Sequence, residues 1–276
     1  MSGILYLVST PIGNLEDITL RAIRILKEVD IIAAEDTRQT IKLLNHFAIN
    51  KPLTSFFRHN ESKKGEYIIS LLKDGKNIAL VSDAGTPAIS DPGEELVGLA
   101  IEAEITVVPI PGPVAATSGL IISGLPTGRF TFEGFLPMNK RNRKERLEEL
   151  ERENRTMIFY EAPHKLKSTL KDMREFWGNR RITLAREMTK VHEEVIRTTL
   201  DDAILMYEEI SPKGEFVLII SGYEGKTDKE VFWKDMTIEE HYKYYLENGE
   251  SRMNATKKVA QDRGVPKREI YSELNV

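Results

Sequence analysis

Ile78-Ala79-Leu80-Val81-Ser82-Asp83-Ala84-Gly85-Thr86-Pro87-Ala88-Ile89-Ser90-Asp91-Pro92-Gly93 is the stretch on which the fold turns. Its first four residues are apolar without alternation, the pattern of a short strand buried on both faces of a parallel sheet. The twelve residues that follow hold two Gly, two Pro, two Asp, two Ser and one Thr. A connection of this length with no periodicity of its own is uncommon and is usually functional where it occurs. Its small residues let a ligand approach the backbone closely.

Outward from it, Ile4–Val8, Ile31–Ala34 and Ile105–Ile110 are further apolar runs of strand length. Between them Leu20, Ile23 and Leu26, then Ile41, Leu44 and Phe47, then Ile68, Leu71 and Leu72 recur at helical spacing. Strands alternating with helices make the first half α/β, with a mainly parallel sheet. Three more polar, turn-rich loops follow strands: Ser9-Thr10-Pro11-Ile12-Gly13-Asn14, Glu35-Asp36-Thr37-Arg38 and Pro111-Gly112-Pro113. Ligands of open α/β sheets bind outside the carboxyl ends of the strands, so all four loops are expected to border one cleft. The first loop lacks the Gly-x-Gly-x-x-Gly spacing of a dinucleotide fold, which disfavours a nicotinamide dehydrogenase.

A small-residue helix is predicted over Val114–Ser123, and Gly124-Leu125-Pro126-Thr127-Gly128 forms a loop near which the first domain ends. Beyond it lie strand-like runs at Phe130–Phe135, Thr156–Tyr160, Ile182–Arg186, Val195–Thr199 and Phe216–Ser221. One helix, on Leu166, Leu170, Met173, Phe176 and Trp177, stops at Gly178. This half reads as a mixed α/β sheet. After Gly222 only helical periods remain, and Ala255–Gln261 and Lys267–Leu274 flank a Gly-containing turn with helix-turn-helix spacing. The expected organisation is an α/β domain over 1–120, a second over 121–222 and a helical tail over 223–276.

The 276 residues are 41% hydrophobic and 30% charged, ordinary values for a globular protein. No apolar run approaches the roughly 18 residues of a membrane span. The apolar run from Ile4 has no basic region before it, unlike a secretory signal. The absence of cysteine excludes disulfides, thiolate zinc sites and a cysteine nucleophile. These features point to a cytoplasmic protein with no membrane partner. His46, His59, His164, His192 and His241 show no metal-binding spacing, so no metal is predicted, and no Gly-x-Ser-x-Gly elbow is present. The net charge of −4 argues against a nucleic-acid coat, yet phosphate binding depends on where charge sits. Lys140, Arg141, Arg143, Lys144 and Arg146 form a basic run opposed only by Glu145, at the start of a predicted helix whose N-terminus itself favours anions. It is either a phosphate-binding face or a solvated helix face.

Taken together, the loops resemble those of the bacterial ribosomal RNA small subunit methyltransferase I family. The resemblance rests on Val8–Leu15, Ala34-Glu35-Asp36-Thr37-Arg38, Ser82–Gly93 and Ile110-Pro111-Gly112-Pro113. It continues through Gly134-Phe135-Leu136-Pro137, Tyr160-Glu161-Ala162-Pro163-His164 and Arg186-Glu187-Met188-Thr189-Lys190. It implies a tetrapyrrole-methylase-like fold of two α/β domains with a small helical appendage. It further implies a homodimer that binds S-adenosylmethionine and methylates the 2′-hydroxyl of a cytidine in the decoding region of 16S ribosomal RNA, on the small ribosomal subunit. Related porphyrin methylases carry Gly-Asp-Pro where this chain has Gly85-Thr86-Pro87, which weighs against a tetrapyrrole substrate. Lys165 stands where the family would have Arg.

By position in the matching motifs, the donor is expected against Pro11, Ile12, Ala84, Gly85, Thr86 and Ile89. Val114, Ala115 and Glu161 complete that pocket. Lys190 is the expected proton acceptor, provided its pKa is lowered, with Asp36 as the alternative; Glu187 is the third catalytic candidate. Arg38, Lys140, Arg141, Arg143 and Lys144 are the expected RNA contacts. Two other readings compete with this one. They are a small-molecule methylase on the same fold, and a ligand-sensing regulator that grips nucleic acid through the helix-turn-helix.

Overall fold

In the computed structural model, which describes residues 2–225, 233 and 236–274, the apolar runs of the first half form one parallel sheet. Its strands are β1 (Ile4–Val8), β2 (Ile31–Ala34), β3 (Leu53–Ser55), β4 (Ile78–Val81) and β5 (Thr106–Ile110). They lie in the order β3-β2-β4-β1-β5. Pro109 is tolerated because β5 is an edge strand, where a missing N–H costs no ladder bond. Four helices cover the sheet: α1 (Leu20–Glu28), α2 (Thr37–His46), α3 (Glu61–Lys73) and α4 (Glu94–Glu102).

β4 shows why its run is apolar throughout. Ala79 and Val81 pack with Ala22, Ile25, Leu26 and Leu44 of α1 and α2. Ile78 and Leu80 pack with Ile68, Leu72, Leu96 and Ala100 of α3 and α4. β1 and β4 are neighbours, yet the helices that follow them lie on opposite faces. Their loops therefore part, leaving a crevice at the carboxyl ends of the two strands.

The second sheet follows α5 (Ala115–Ile122). It contains β6 (Phe130–Gly134), β7 (Thr156–Glu161), β8 (Arg181–Arg186), β9 (Glu194–Thr199) and β10 (Phe216–Ile220), in the order β6-β7-β10-β8-β9. Only the β6–β7 pair is parallel, so the sheet is mixed. One face carries α6 (Lys140–Glu149), α7 (Pro163–Trp177) and α8 (Leu200–Glu209) over Met157, Phe159, Leu184 and Leu218. The other face packs Ile158, Val217 and Ile219 against Ala116 and Leu120 of α5. Gly119 permits this approach, because a Cβ there would lie 3.1 Å from Ile219 Cδ1 and 3.2 Å from Val217 Cγ1.

Two elements have no counterpart in the sequence reading. β3 is three residues long with one apolar member, too short to show a period. α8 buries Leu200, Ala203 and Tyr207, a stripe broken by Asp201 and Asp202.

Both sheets belong to one compact unit, Met1–Tyr223, and Glu224–Val276 is a second. Within the second unit, α9 (Ile238–Glu247), α10 (Arg252–Arg263) and α11 (Lys267–Leu274) gather around Val259, Ala260 and Ile270. Thr237 and Glu240 form a capping box at the start of α9, and Gly264 ends α10 in the left-handed region at φ +65. Among the described residues no helix is long and apolar enough to cross a membrane.

Because the chain divides into its two units at Tyr223, truncation after that residue should leave a core that unfolds in a single transition. Its Tm by calorimetry should lie within about 4 °C of the full chain, a shift worth roughly 1 kcal/mol at this size. A broad or strongly lowered transition would show that the tail is part of the main core.

Candidate active site

The crevice between β1 and β4 is closed at its base by the loops themselves. Thr10 N–H donates to Gly85 O at 2.9 Å and Gly85 N–H donates back to Thr10 O at 3.0 Å, an isolated antiparallel bridge. Thr10 Oγ1 donates to Ser82 O at 3.2 Å, and the Ser9 and Thr86 hydroxyls share a hydrogen bond of 2.7 Å. Ser9 N–H donates to Ile110 O at 3.3 Å, and a Cβ on Gly112 would lie 2.6 Å from Ser9 Cβ. The Asp36 N–H donates to Asp83 Oδ1 at 2.9 Å, drawing in the fourth loop. Gly85 has φ +82, a conformation that suits glycine, and a side chain there would start 3.3 Å from Ile12 Cγ2.

The second sheet supplies the facing wall. Asn14 N–H donates to Thr189 Oγ1 at 3.1 Å, and a Cβ on Gly13 would lie 2.8 Å from that same oxygen. Between the two walls is a cavity of about 440 Å³. It is lined from the first sheet by Ile12, Ala84, Gly85, Thr86 and Ile89, and from the second by Tyr160, Glu161, Lys190 and Glu215. Val114 and Ala115, at the start of α5, complete it. Pro11 is not among its lining residues, although it lies in the loop that is. Asp91, Phe135 and His164 also face the cavity, and the sequence alone did not mark them as site residues. All three sit inside the quoted motifs, which is the signal by which they could have been found.

Residues 4–204 match the family described as Tetrapyrrole (Corrin/Porphyrin) Methylases. A protein of Halalkalibacterium halodurans named ribosomal RNA small subunit methyltransferase I is 54% identical over 271 residues, which are 98% of this chain and 94% of that protein. The protein of the same name from Bacillus subtilis is 49% identical over 276 residues, 99% of this chain and 94% of that one. This chain belongs to the ribosomal RNA small subunit methyltransferase I family. Its fold is that of the tetrapyrrole methylases. The crystal structure of uroporphyrin-III-C-methyltransferase from Thermus thermophilus superposes with a TM-score of 0.54 at 20% identity, covering 79% of this chain and 94% of that one.

Beyond the cavity loops, this family member holds several charged residues in ways that spacing does not reveal. Lys190 Nζ lies 2.9 Å from Glu187 Oε1 and 3.0 Å from Glu215 Oε2. Burial disfavours its charge, but the two carboxylates outweigh burial and hold its pKa above the usual lysine value. The condition for Lys190 as proton acceptor, a lowered pKa, is not met in this arrangement. Glu187 accepts the Glu215 N–H at 2.9 Å, and this bond, with Lys190, keeps its carboxyl below the usual range. Glu187 and Thr189 both have positive φ, at 50 and 65, so the backbone of this loop is strained where it meets the cavity.

Asp36 does not line the cavity. Its carboxylate caps α2 by accepting the Arg38 N–H at 2.8 Å and pairs with the Arg38 guanidinium at 2.8 and 3.1 Å. The Arg38 hydrogen bonds lower its pKa to about 2, which makes it a weak base. Asp91 behaves oppositely, since burial and the nearby Asp83 charge push its carboxyl up.

The basic run occupies α6 and is largely paired. Arg141 reaches Glu145 at 2.8 Å and Lys144 reaches Glu148 at 3.6 Å. Arg146 engages Glu133 and Glu149. The Arg143 side chain is only 14% exposed and turns toward α7, where it pairs with Asp172. Lys140 has no ion pair among the described residues.

Gly85→Val should reduce the affinity for S-adenosylmethionine more than about tenfold in calorimetry. A β-branched residue at positive φ, against Ile12, both strains the loop and fills the cavity base. Circular dichroism should show the fold retained. Unchanged affinity in the folded variant would remove Gly85 from the donor site.

Proposed function

We propose that this protein transfers the methyl group of S-adenosylmethionine to the 2′-hydroxyl of a cytidine in the decoding region of 16S ribosomal RNA. Membership of the family carries the coarser statement: the chain is an S-adenosylmethionine-dependent ribosomal RNA methyltransferase. One observation carries the placement of the donor, namely that Ile12, Ala84, Gly85, Thr86, Ile89, Val114, Ala115 and Glu161 line a single cavity. Its volume, about 440 Å³, lies in the range of small-ligand and cofactor sites. When bound, S-adenosylmethionine supplies an electrophilic methyl group on a sulfonium that is already a good leaving group.

The protein's task is then to hold the hydroxyl in line and to favour loss of its proton. The glycine and the backbone of the Ser82–Gly93 loop admit the donor closely. Ile12, Ile89 and Val114 exclude water from one side, and Glu161 and Asp91 offer negative charge to a cationic ligand. Lys190, charged and held by Glu187 and Glu215, offsets the negative charge that develops on the ribose oxygen. Asp36 fixes the exposed Arg38, whose guanidinium is available to a phosphate. Lys140, Arg141 and Lys144 present a face for the RNA backbone, with Glu145 and Glu148, the partners of Arg141 and Lys144, giving way to phosphates. The same family resemblance supports a homodimer and a cytoplasmic enzyme.

Purified protein incubated with tritiated S-adenosylmethionine and 30S subunits should label 16S ribosomal RNA at one cytidine ribose. Label on a base, or none in the RNA, would overturn the proposed reaction. Lys190→Met should bind donor normally and lose roughly a hundredfold in single-turnover rate. A cation whose pKa is raised in the fold is present throughout the range below that pKa and disappears only as pH rises through it. The ratio of wild-type to variant rate should therefore stay flat from about pH 6 to about pH 9. A ratio that collapses toward low pH would identify Lys190 as the base instead. Alanine at Lys140, Arg141 and Lys144 together should weaken subunit binding and make its salt dependence shallower, by about 0.7–0.9 for each phosphate no longer neutralised. An unaltered salt series would make α6 a solvated face.

A further inference from the structure

Glu161 ends β7, lines the cavity and is 4% exposed, so its carboxylate is nearly shut off from solvent. Such a group keeps its charge and orientation only if its oxygens are hydrogen-bonded. Oε1 accepts the N–H of Ala162 at 2.8 Å. Oε2 accepts the hydroxyl of Thr169, a residue 1% exposed on α7. A threonine hydroxyl has a single proton, so its direction depends on what occupies its lone pairs. Here Arg143 Nη2 donates to Thr169 Oγ1 at 2.9 Å, and Arg143 Nε donates to Asp172 Oδ2 at 2.6 Å. With a guanidinium N–H on the oxygen, the Thr169 proton is directed to Glu161. Arg143, Thr169 and Glu161 thus form one polarised chain from α6 through α7 to the cavity, each bond strengthening the next.

This accounts for a residue that the basic run alone would assign to RNA. Arg143 is the least exposed of the paired arginines of the run, and its fork spans Asp172 and Thr169 of α7 in a geometry that a lysine cannot reproduce. We propose that Arg143 and Thr169 are positioning residues that fix the Glu161 carboxylate toward the methyl donor, and that Arg143 makes no phosphate contact. The proposal rests on the donor reading of the cavity given above.

Calorimetry with S-adenosylmethionine on the full chain tests it, using Thr169→Val, Thr169→Ser, Arg143→Met, Arg143→Lys and the Thr169→Val/Arg143→Met double variant. Thr169→Val removes the hydroxyl at nearly constant volume and should weaken donor binding by roughly tenfold. Thr169→Ser should restore it. Arg143→Met should weaken it by about threefold or more, and Arg143→Lys should rescue it only in part. Because Arg143 acts through Thr169, the double variant should bind no more weakly than Thr169→Val alone. Binding of Arg143→Met to 30S subunits should match wild type across a salt series.

Additive losses in the double variant would overturn the chain of action. So would Arg143→Met proteins that melt at lower temperature while binding donor normally, the result expected of a purely structural pair. A shallower salt slope for Arg143→Met with unchanged donor affinity would make Arg143 a phosphate contact. Failure of the wild-type protein to bind donor would instead remove the cavity reading on which the proposal stands.

Discussion

The pair of backbone hydrogen bonds between Thr10 and Gly85 is the constraint on which the site depends. The topology of the first sheet sends the chain after β1 to one face and the chain after β4 to the other, which opens a crevice. The bridge then ties the two departing loops together at its base. Two such bonds contribute only about 1 kcal/mol each to stability. Their effect is geometric, for they fix which small residues turn toward the cavity. Gly85 makes them at φ +82, and the packing of Gly112 on Ser9 leaves no space for a side chain at position 112. Gly85, at the base of the cavity, is thus held in a turn that few residue types can make.

Strands apolar on every residue and loops made of Gly, Pro, Ser and Asp were readable directly, because burial on two faces and tight turning each restrict residue type. The convergence of the loops followed from a general property of open parallel sheets. β3 and α8 were not readable, the first for want of length and the second because acidic residues interrupt its apolar stripe. Long-range electrostatic partners were invisible for a different reason. Lys190 was a candidate base only on condition that its pKa fell; Glu187, three positions before it, and Glu215, 25 positions after it, both hold its ammonium and raise its pKa instead. Arg143 looked equivalent to its neighbours on α6, and only the packing of α6 on α7 separates it from them.

The same packing changes the meaning of the basic run. As a string it is opposed by Glu145 alone, but the helical period brings Glu148 and Glu149 beside Lys144 and Arg146. A face of paired charges draws a polyanion less strongly from a distance than a bare cationic patch. It can still exchange a carboxylate for a phosphate on contact. With a net charge of −4, the chain is built for recognition at close range rather than for broad attraction to nucleic acid. For the reaction proposed above, selection among many RNA surfaces would then rest on shape and on the reach of the target ribose into the crevice.

The balance of charge inside the cavity bears on turnover. Asp91, Glu161 and Glu215 line it, with Lys190 as the only Lys or Arg among its lining residues. Lys190 pairs with one of these carboxylates and with Glu187 and stays charged, and the carboxylates outnumber it along the lining. Such a wall favours a cationic guest. In the proposed reaction methyl transfer removes the sulfonium charge, so a donor seated against this wall would be held more tightly than the spent thioether. Burial and the Asp83 charge push the Asp91 carboxyl up, and a neighbouring cation would favour its ionised form.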